Sequence, residues 1–291
     1  MRYRVIHRTE YEYSDQANVC HNITHLAPRP DPRQNCASHY LSVVPPPAAL
    51  EERIDHFGNK SCYFSIEKPH RGMVVTATSV VEVRGPAVPA SPSTAAWASF
   101  ADDLEAMPPA EAAEVRGFMM DSPMVPPFAE LSDYARPSFE THAGLRDAAL
   151  DLMGRIFRDY AYDPTFTTLA TPLRDVVTHK RGVCQDFAHL AIGSLRAFGL
   201  AARYMSGYLE TRPPEGKEKL VGADASHAWC SVFVPGQGWL DLDPTNNQVP
   251  DQRYILLGWG RDYSDVPPLK GVVFGGGTPK MTVAVDVEPL P

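Results

Sequence analysis

Five cysteines are the natural place to look for chemistry, at positions 20, 36, 62, 184 and 230 of 291 residues. An odd, widely spaced set fits neither a disulfide framework nor a CxxC zinc pattern, so at least one thiol has no partner within the chain. Cys184 stands apart. It follows Arg181-Gly182-Val183 and opens a stretch of helical periodicity, Cys184 to Phe198, in which Phe187, Leu190, Ala191, Leu195 and Phe198 share a face. At a helix start, the dipole and the unpaired N–H groups stabilise a thiolate. Lys180 and Arg181 add positive field there and Asp186 opposes it. The other reading of a cysteine is a small buried hydrophobe, and it suits Cys20, Cys36, Cys62 and Cys230.

A nucleophilic thiol needs a base, and the base needs an orienter. Of the ten histidines, His7, His21, His25, His39, His56 and His70 fall in a strand-rich N-terminal stretch and read as surface or strand positions. His189 shares a helix with Cys184 but lies about 140° around it. His179 sits just before that helix. His227 is different, because it opens a strand, Ala225 to Val234, whose odd positions share one face. The next strand, Trp239 to Asp243, follows the turn Pro235-Gly236-Gln237-Gly238 and carries Asp241 and Asp243 together. Pairing odd with odd puts a carboxylate beside His227, where it would hold the imidazole through Nδ1–H and stabilise the imidazolium. Alternation with Leu240 and Leu242 is equally what a half-exposed strand shows, and the residues alone leave open which acid serves.

These side chains have to be positioned by the rest of the chain. Residues 1–85 read as strands. Arg2 to Thr9, Tyr11 to Tyr13 and Met73 to Val83 are rich in aromatic and β-branched residues, punctuated by Pro28, Pro30, Pro32 and Pro45-Pro46-Pro47. A turn at Phe57-Gly58-Asn59-Lys60 completes the pattern of a small antiparallel sandwich. Residues 86–138 read as a linker with short helices: Pro86, Pro89 and Pro92 mark its start, and Pro108-Pro109 splits two helical segments within 94–120. Residues 139–291 read as helices followed by strands and a tail with an alternating strand, Met281 to Val287, which is α+β rather than βαβ. Within this part, Leu145, Ala149, Leu152, Ile156 and Tyr160 form one apolar helical face, and Thr171 is the expected cap of a helix from Pro172.

Composition narrows the function classes. With 27 Lys+Arg against 35 Asp+Glu, the charge of −8 argues against nucleic acid and against a polybasic membrane anchor. The first residues carry charges where a secretory signal would be apolar, and there is no run of about 18 apolar residues, so a soluble cytoplasmic protein is expected. Proline, 28 of 291 residues, is about twice the usual ~5% share, which predicts many turns.

Four separated blocks carry a resemblance. They are Arg181-Gly182-Val183-Cys184-Gln185-Asp186-Phe187-Ala188-His189-Leu190, Arg203-Tyr204-Met205-Ser206-Gly207-Tyr208, Gly222-Ala223-Asp224-Ala225-Ser226-His227-Ala228-Trp229 and Gly238-Trp239-Leu240-Asp241-Leu242-Asp243-Pro244-Thr245-Asn246-Asn247. In order and spacing they resemble the bacterial transglutaminase-like superfamily. Residues 1–83 resemble the β domain that precedes this core in bacterial members, and Gly260 to Pro268 resembles the segment that follows it. The resemblance implies an α+β fold: an N-terminal antiparallel β-sandwich, then a papain-like core with the Cys helix packed on an antiparallel sheet. It implies a Cys184-His227-Asp243 triad, since the family's acid directly precedes Pro-Thr. It implies neither cofactor nor metal. The expected activity is thiol-dependent acyl transfer on a peptide or protein substrate. Hydrolysis is favoured, with a glutamine γ-glutamyltransferase or a catalytically relict peptide-binding module as alternatives. Gln185 is a candidate second oxyanion donor. Asp186, Tyr208 and Asp262 are candidates for the cleft wall, each with a plain structural alternative as helix-start acid, core strand aromatic and loop acid.

Overall fold

The computed structural model describes residues 1–85, 95–211 and 225–291. Most of the expected Gly85-to-Ser93 linker, and Gly222-Ala223-Asp224 of the His227 block, lie outside the described residues.

Five strands open the chain: β1 (Arg2–Thr24), β2 (Gln34–Val44), β3 (Ala49–Ile54), β4 (Lys60–Ile66) and β5 (His70–Val83). The alternation in β1 is real, since Tyr3, Val5, His7 and Thr9 are buried between exposed neighbours. Its pairing with β5 shifts between Glu12 and Ala17, and the two halves of β1 have different partners. The first half pairs with β5 and the second with β4. The sheet therefore folds over on itself, so that Phe64 and Ile66 of β4 pack with Val43, Met73, Val75 and Ala77 of β2 and β5.

The remainder alternates helices and strands: α1 (Phe100–Ala106), α2 (Pro109–Gly117), α3 (Ala129–Thr141), α4 (Leu145–Asp159), β6 (Ala161–Tyr162), α5 (Leu173–His179), β7 (Arg181–Gly182) and α6 (Cys184–Arg196). Then come β8 (Ala202–Leu209), β9 (Ala225–Val234), β10 (Gly238–Leu242), β11 (Tyr254–Gly260), β12 (Leu269–Gly275) and β13 (Pro279–Leu290). A four-stranded antiparallel sheet runs β10-β9-β8-β11. Helix α6 packs against it, burying Phe187, Leu190, Ile192 and Leu195 with Ala202, Tyr204, Ala228, Cys230 and Val232. The helix before it starts at Leu173 behind Pro172 without a side-chain cap, and Thr171 instead accepts from the Thr168 N–H at 2.9 Å.

Two expectations about the chain's organisation change. From residue 95 on, the segment expected as a linker is core: Phe100, Leu104, Val115, Phe118, Val125 and Leu131 lie in the same apolar cluster as α6. Proline breaks split the helices without releasing them, because each short helix still has an apolar face to bury. The tail expected with the catalytic core returns instead to the N-terminal sheet. β13 pairs with Arg2 to Tyr13 of β1, and β12 pairs with Ala17 to Thr24. Each half of β1 otherwise leaves one edge of unpaired N–H and C=O groups, and the tail closes both.

The two parts meet at an apolar contact of Tyr3, Val5, Val81, Val83, Val285 and Val287 with Tyr208, Ile255 and Leu257. Side-chain amides cover the open edge of β11. Buried Gln34 donates from Nε2 to the Leu256 and Arg29 carbonyls and accepts the Leu256 N–H at Oε1, all at 2.8 Å. Asn59 does the same for Trp259, accepting its N–H at 3.0 Å and donating to its carbonyl at 2.8 Å. Gln34→Ala strands the Leu256 N–H in a buried site, while the Leu256 carbonyl keeps the Arg29 N–H at 3.1 Å, and should cost about 1–3 kcal/mol of stability in urea unfolding. A cost within about 0.5 kcal/mol, typical of surface substitutions, would show that this edge is not held by the amide.

Candidate active site

Cys184 is placed by what precedes it. Lys180 ends α5 in the left-handed region (φ 53°). Strand β7 then pairs in parallel with β6, Gly182 beside Tyr162. Val183 is extended and α6 begins at Cys184. Asp186, at the third helical position, turns back so that its Oδ2 accepts the Val183 N–H and the Thr167 hydroxyl, both at 2.8 Å. A side chain at 182 would meet that carboxylate: a Cβ there would lie 2.7 Å from Asp186 Oδ2. Gly182 is thus required by close approach. Burial pushes the Asp186 carboxyl up, and the Val183 and Thr167 hydrogen bonds pull it back only in part. Asp186 is a helix cap that fixes the backbone at Cys184.

His227 and Asp243 come from the β9–β10 hairpin. The register pairs Trp239 with Phe233 and Asp241 with Ser231, so continuing it sets Asp243 across from Trp229, one diagonal step from His227. His227 bonds to Asp243 at 2.7 Å, and the nitrogen is Nε2, not the expected Nδ1. Cys184 is the other side-chain hydrogen-bond partner that favours the charged form of His227. Asp241 turns away from this group and pairs with Arg33 of the N-terminal part.

The carboxylate of Asp243 has no exposed surface. Its Oδ2 accepts from His227, from Asn246 Nδ2 at 2.7 Å and from the Tyr254 hydroxyl at 2.6 Å. Its Oδ1 accepts the N–H groups of Thr245 at 2.9 Å and Asn246 at 3.2 Å. Burial works against the ionised form, but these donors and the His227 charge overcome it and hold the carboxyl below the usual range. For His227, burial likewise opposes the charged form. The hydrogen bonds to Asp243 and Cys184 outweigh it and push the imidazole up to about 10. Trp229 and Tyr254 wall the imidazole, with ring centroids 6.2 and 5.9 Å away.

The other expected cleft residues divide. Gln185 and Asp186 both line a cleft of about 530 Å³ beside the start of α6, together with Pro123, Met124, Phe128 and His189. Tyr208 does not belong to it. Its ring is buried at the contact between the two parts, and its hydroxyl bonds to His7 Nδ1 at 3.0 Å. The strand alternation that placed it in the core was sound, but what covers it is the N-terminal sheet. Asp262 is also fully buried and does not reach the cleft. It accepts from the Met124 and Ser264 N–H groups at 2.7 and 2.8 Å, pinning the loop that forms one cleft wall. Three site residues were not singled out in the sequence: Tyr254, Asn246 and Tyr204. Asn246 could have been found as an Asx-type turn residue three places after Asp243. Tyr204 is buried beneath Cys184, where burial and then the Cys184 charge keep its hydroxyl protonated. No group of three His, Cys, Asp or Glu among the described residues could hold a metal ion.

The titrating groups set how stability should follow pH. His227 binds its proton more tightly folded than unfolded, so its contribution is complete below the ordinary imidazole value of ~6.5 and fades as pH rises towards about 10. His7 and His189, buried and pushed down to about 4, act the other way, costing stability as pH falls from ~6.5 towards about 4. Asp243 adds to that acid limb as its carboxylate is protonated. Urea midpoints across pH should therefore peak near neutrality. Asp243→Asn should flatten the alkaline limb; an alkaline limb as steep in this variant as in the native protein would contradict the assignment.

Comparison with known proteins agrees with this architecture. Residues 3–82 match the bacterial transglutaminase-like N-terminal region, and residues 133–244 match the transglutaminase-like superfamily. An uncharacterised Mycobacterium tuberculosis protein is 43% identical over 99% of this chain and 93% of its own length. A protein-glutamine gamma-glutamyltransferase of Pseudomonas aeruginosa is 31% identical over 109 residues, covering 35% of this chain and 16% of that protein. The fold matches the crystal structure of a candidate cysteine protease from Cytophaga hutchinsonii with a TM-score of 0.77, 20% identity, and coverage of 100% of this chain and 91% of that one. With both regions matched in order and a full-length relative at 43% identity, the chain belongs to the bacterial transglutaminase-like superfamily, as an α+β protein with the N-terminal region preceding the core.

Proposed function

We propose that the protein catalyses thiol-dependent acyl transfer at an amide or peptide carbonyl, with Cys184, His227 and Asp243 as the catalytic residues. The observation that carries this reading is the continuous chain from the Cys184 side chain through His227 to a buried, ionised Asp243. Cys184 Sγ, its proton passed to His227, attacks the carbonyl carbon. The oxyanion that forms faces the Cys184 backbone N–H at the helix start, with Gln185 as the second donor. The C–N bond then breaks as His227 returns the proton to the leaving amine, and a thioester remains. Water, deprotonated by His227, attacks the thioester, and Cys184 leaves as thiol with the acid product.

Hydrolysis of a peptide or protein substrate is the favoured outcome, because water needs no dedicated acceptor site. The Pseudomonas aeruginosa relative favours a second reading, in which an amine resolves the thioester. Five unpaired thiols suit a reducing compartment, so we place the protein in the cytoplasm.

Mass spectrometry of the protein incubated with a proteome-derived peptide pool should trap an acyl group on Cys184. Cys184→Ala should lose both the adduct and turnover; turnover that survives in this variant would end the proposal. Adding a labelled primary amine separates the outcomes, since product without label is hydrolysis and labelled glutamine is transfer.

The raised His227 also predicts the alkaline side of the rate profile. Amine expulsion needs the imidazolium, so acylation should fall as pH rises through about 10. Asp243→Asn should move that limb down towards the ordinary ~6.5. An alkaline limb that stays near its native position in this variant would exclude Asp243 as the group that holds the proton on His227.

A further inference from the structure

A second cleft, of about 410 Å³, lies at the outer end of β10, where Arg33 of the N-terminal part meets Arg146, Arg203, Trp239 and Trp259. Its volume lies within the ~300–1,000 Å³ range of small-molecule sites. Arg203 is the unusual member. It is 6% exposed, and its guanidinium lies 4.2 Å from the Trp239 ring centre and 3.9 Å from that of Trp259. Its Nε is buried with no hydrogen-bond partner, and its cross-strand neighbour Ser231 has an equally orphaned hydroxyl. A buried guanidinium whose Nε donates to none of the described residues is costly to keep, and structures rarely tolerate one without a use for it.

The nearby acids do not relieve it. Asp241, next in the same cross-strand row, is taken by Arg33, which also lies 3.7 Å from Asp31. Glu114, on the exposed face of α2, borders the cleft with Asp31 and Asp241, but none of the three hydrogen-bonds to Arg203. Arg29 stacks on Trp259 at 3.5 Å and adds another positive charge. Burial, partly offset by Asp241, lowers Arg203 only to about 9, so it stays charged at neutral pH. Arg146 borders the same cleft and has no ion pair among the described residues.

We propose that this cleft binds a small oxyanion, a carboxylate or phosphate group, held by the Arg203 guanidinium between the two indole faces with Arg146 as the second cation. Planar, bidentate pairing to an oxyanion is what a guanidinium with free N–H groups offers, and the indoles fix its plane. The site uses none of the residues proposed for catalysis.

Acetate and inorganic phosphate are the two probes, each titrated into the full-length protein at ionic strength held constant with sodium chloride. Tryptophan fluorescence and the thermal-unfolding midpoint are read together, because Trp239 and Trp259 border the site and binding raises the midpoint by mass action. At least one probe should give a saturable response, and which one responds identifies the oxyanion. Arg203→Met should abolish the response. Arg146→Ala, a half-buried cleft-edge change that leaves the core intact, should weaken it about tenfold. Cys184→Ala should bind as the native protein does, so loss of the proposed catalysis does not touch this test. No saturable response to either probe, or native affinity in Arg146→Ala, would overturn the proposal, even if Arg203→Met fails to fold.

Discussion

Asp243 is a carboxylate with no contact to solvent, and it can remain ionised only because five donors converge on its two oxygens. Much of the site follows from satisfying that one charge. The turn after β10 curls back to offer the Thr245 and Asn246 N–H groups. Tyr254 of β11 reaches over from the far edge of the sheet. His227 supplies the third contact to Oδ2 and holds its proton tightly, because a fixed negative charge 2.7 Å from Nε2 favours the imidazolium. Cys184 then needs only to stand beside the same imidazole, and the capping bond of Asp186 with the glycine at 182 fixes where the helix that carries it begins.

The N-terminal part is tied to this arrangement by more than contact. Its amides close the exposed edge of β11, the strand that contributes Tyr254, and its Arg33 draws off Asp241. The hairpin carries two acids two residues apart on one face. One is drawn inward by imidazole and hydroxyl donors, the other outward by an arginine from a distant stretch of sequence. The chain's last strands run back along β1, so both ends of the polypeptide lie in one sheet, and the core that bears the site is inserted between them.

Much of the site could be read from sequence, since local rules govern its parts. Helix periodicity placed Cys184 at a helix start. The period of two along β9 and β10 put His227 with the acids. The three-residue turn even contained the choice of acid, because its register leaves Asp241 four residues away from the position of His227 and Asp243 two. Asp186 was legible both as a helix-start acid and as a cleft residue, and the fold gives it both places: it caps α6 and lines the cleft beside Gln185.

What sequence alone determined was therefore what depends on neighbours within a turn or a hairpin: which residues lie on helices and strands, which side chains share a face, and the order of Cys, His and Asp. Tertiary structure decided everything that depends on which faces meet. It set Tyr208 against the N-terminal sheet, buried the helices of 95–138 in the main core and returned the tail to β1. It turned the imidazole so that Nε2 rather than Nδ1 meets the carboxylate. A period of two or 3.6 says that a face will be covered, but not by what. The covering partner is chosen by the whole chain's need to bury apolar surface and pair every buried polar group, a constraint that no local window contains.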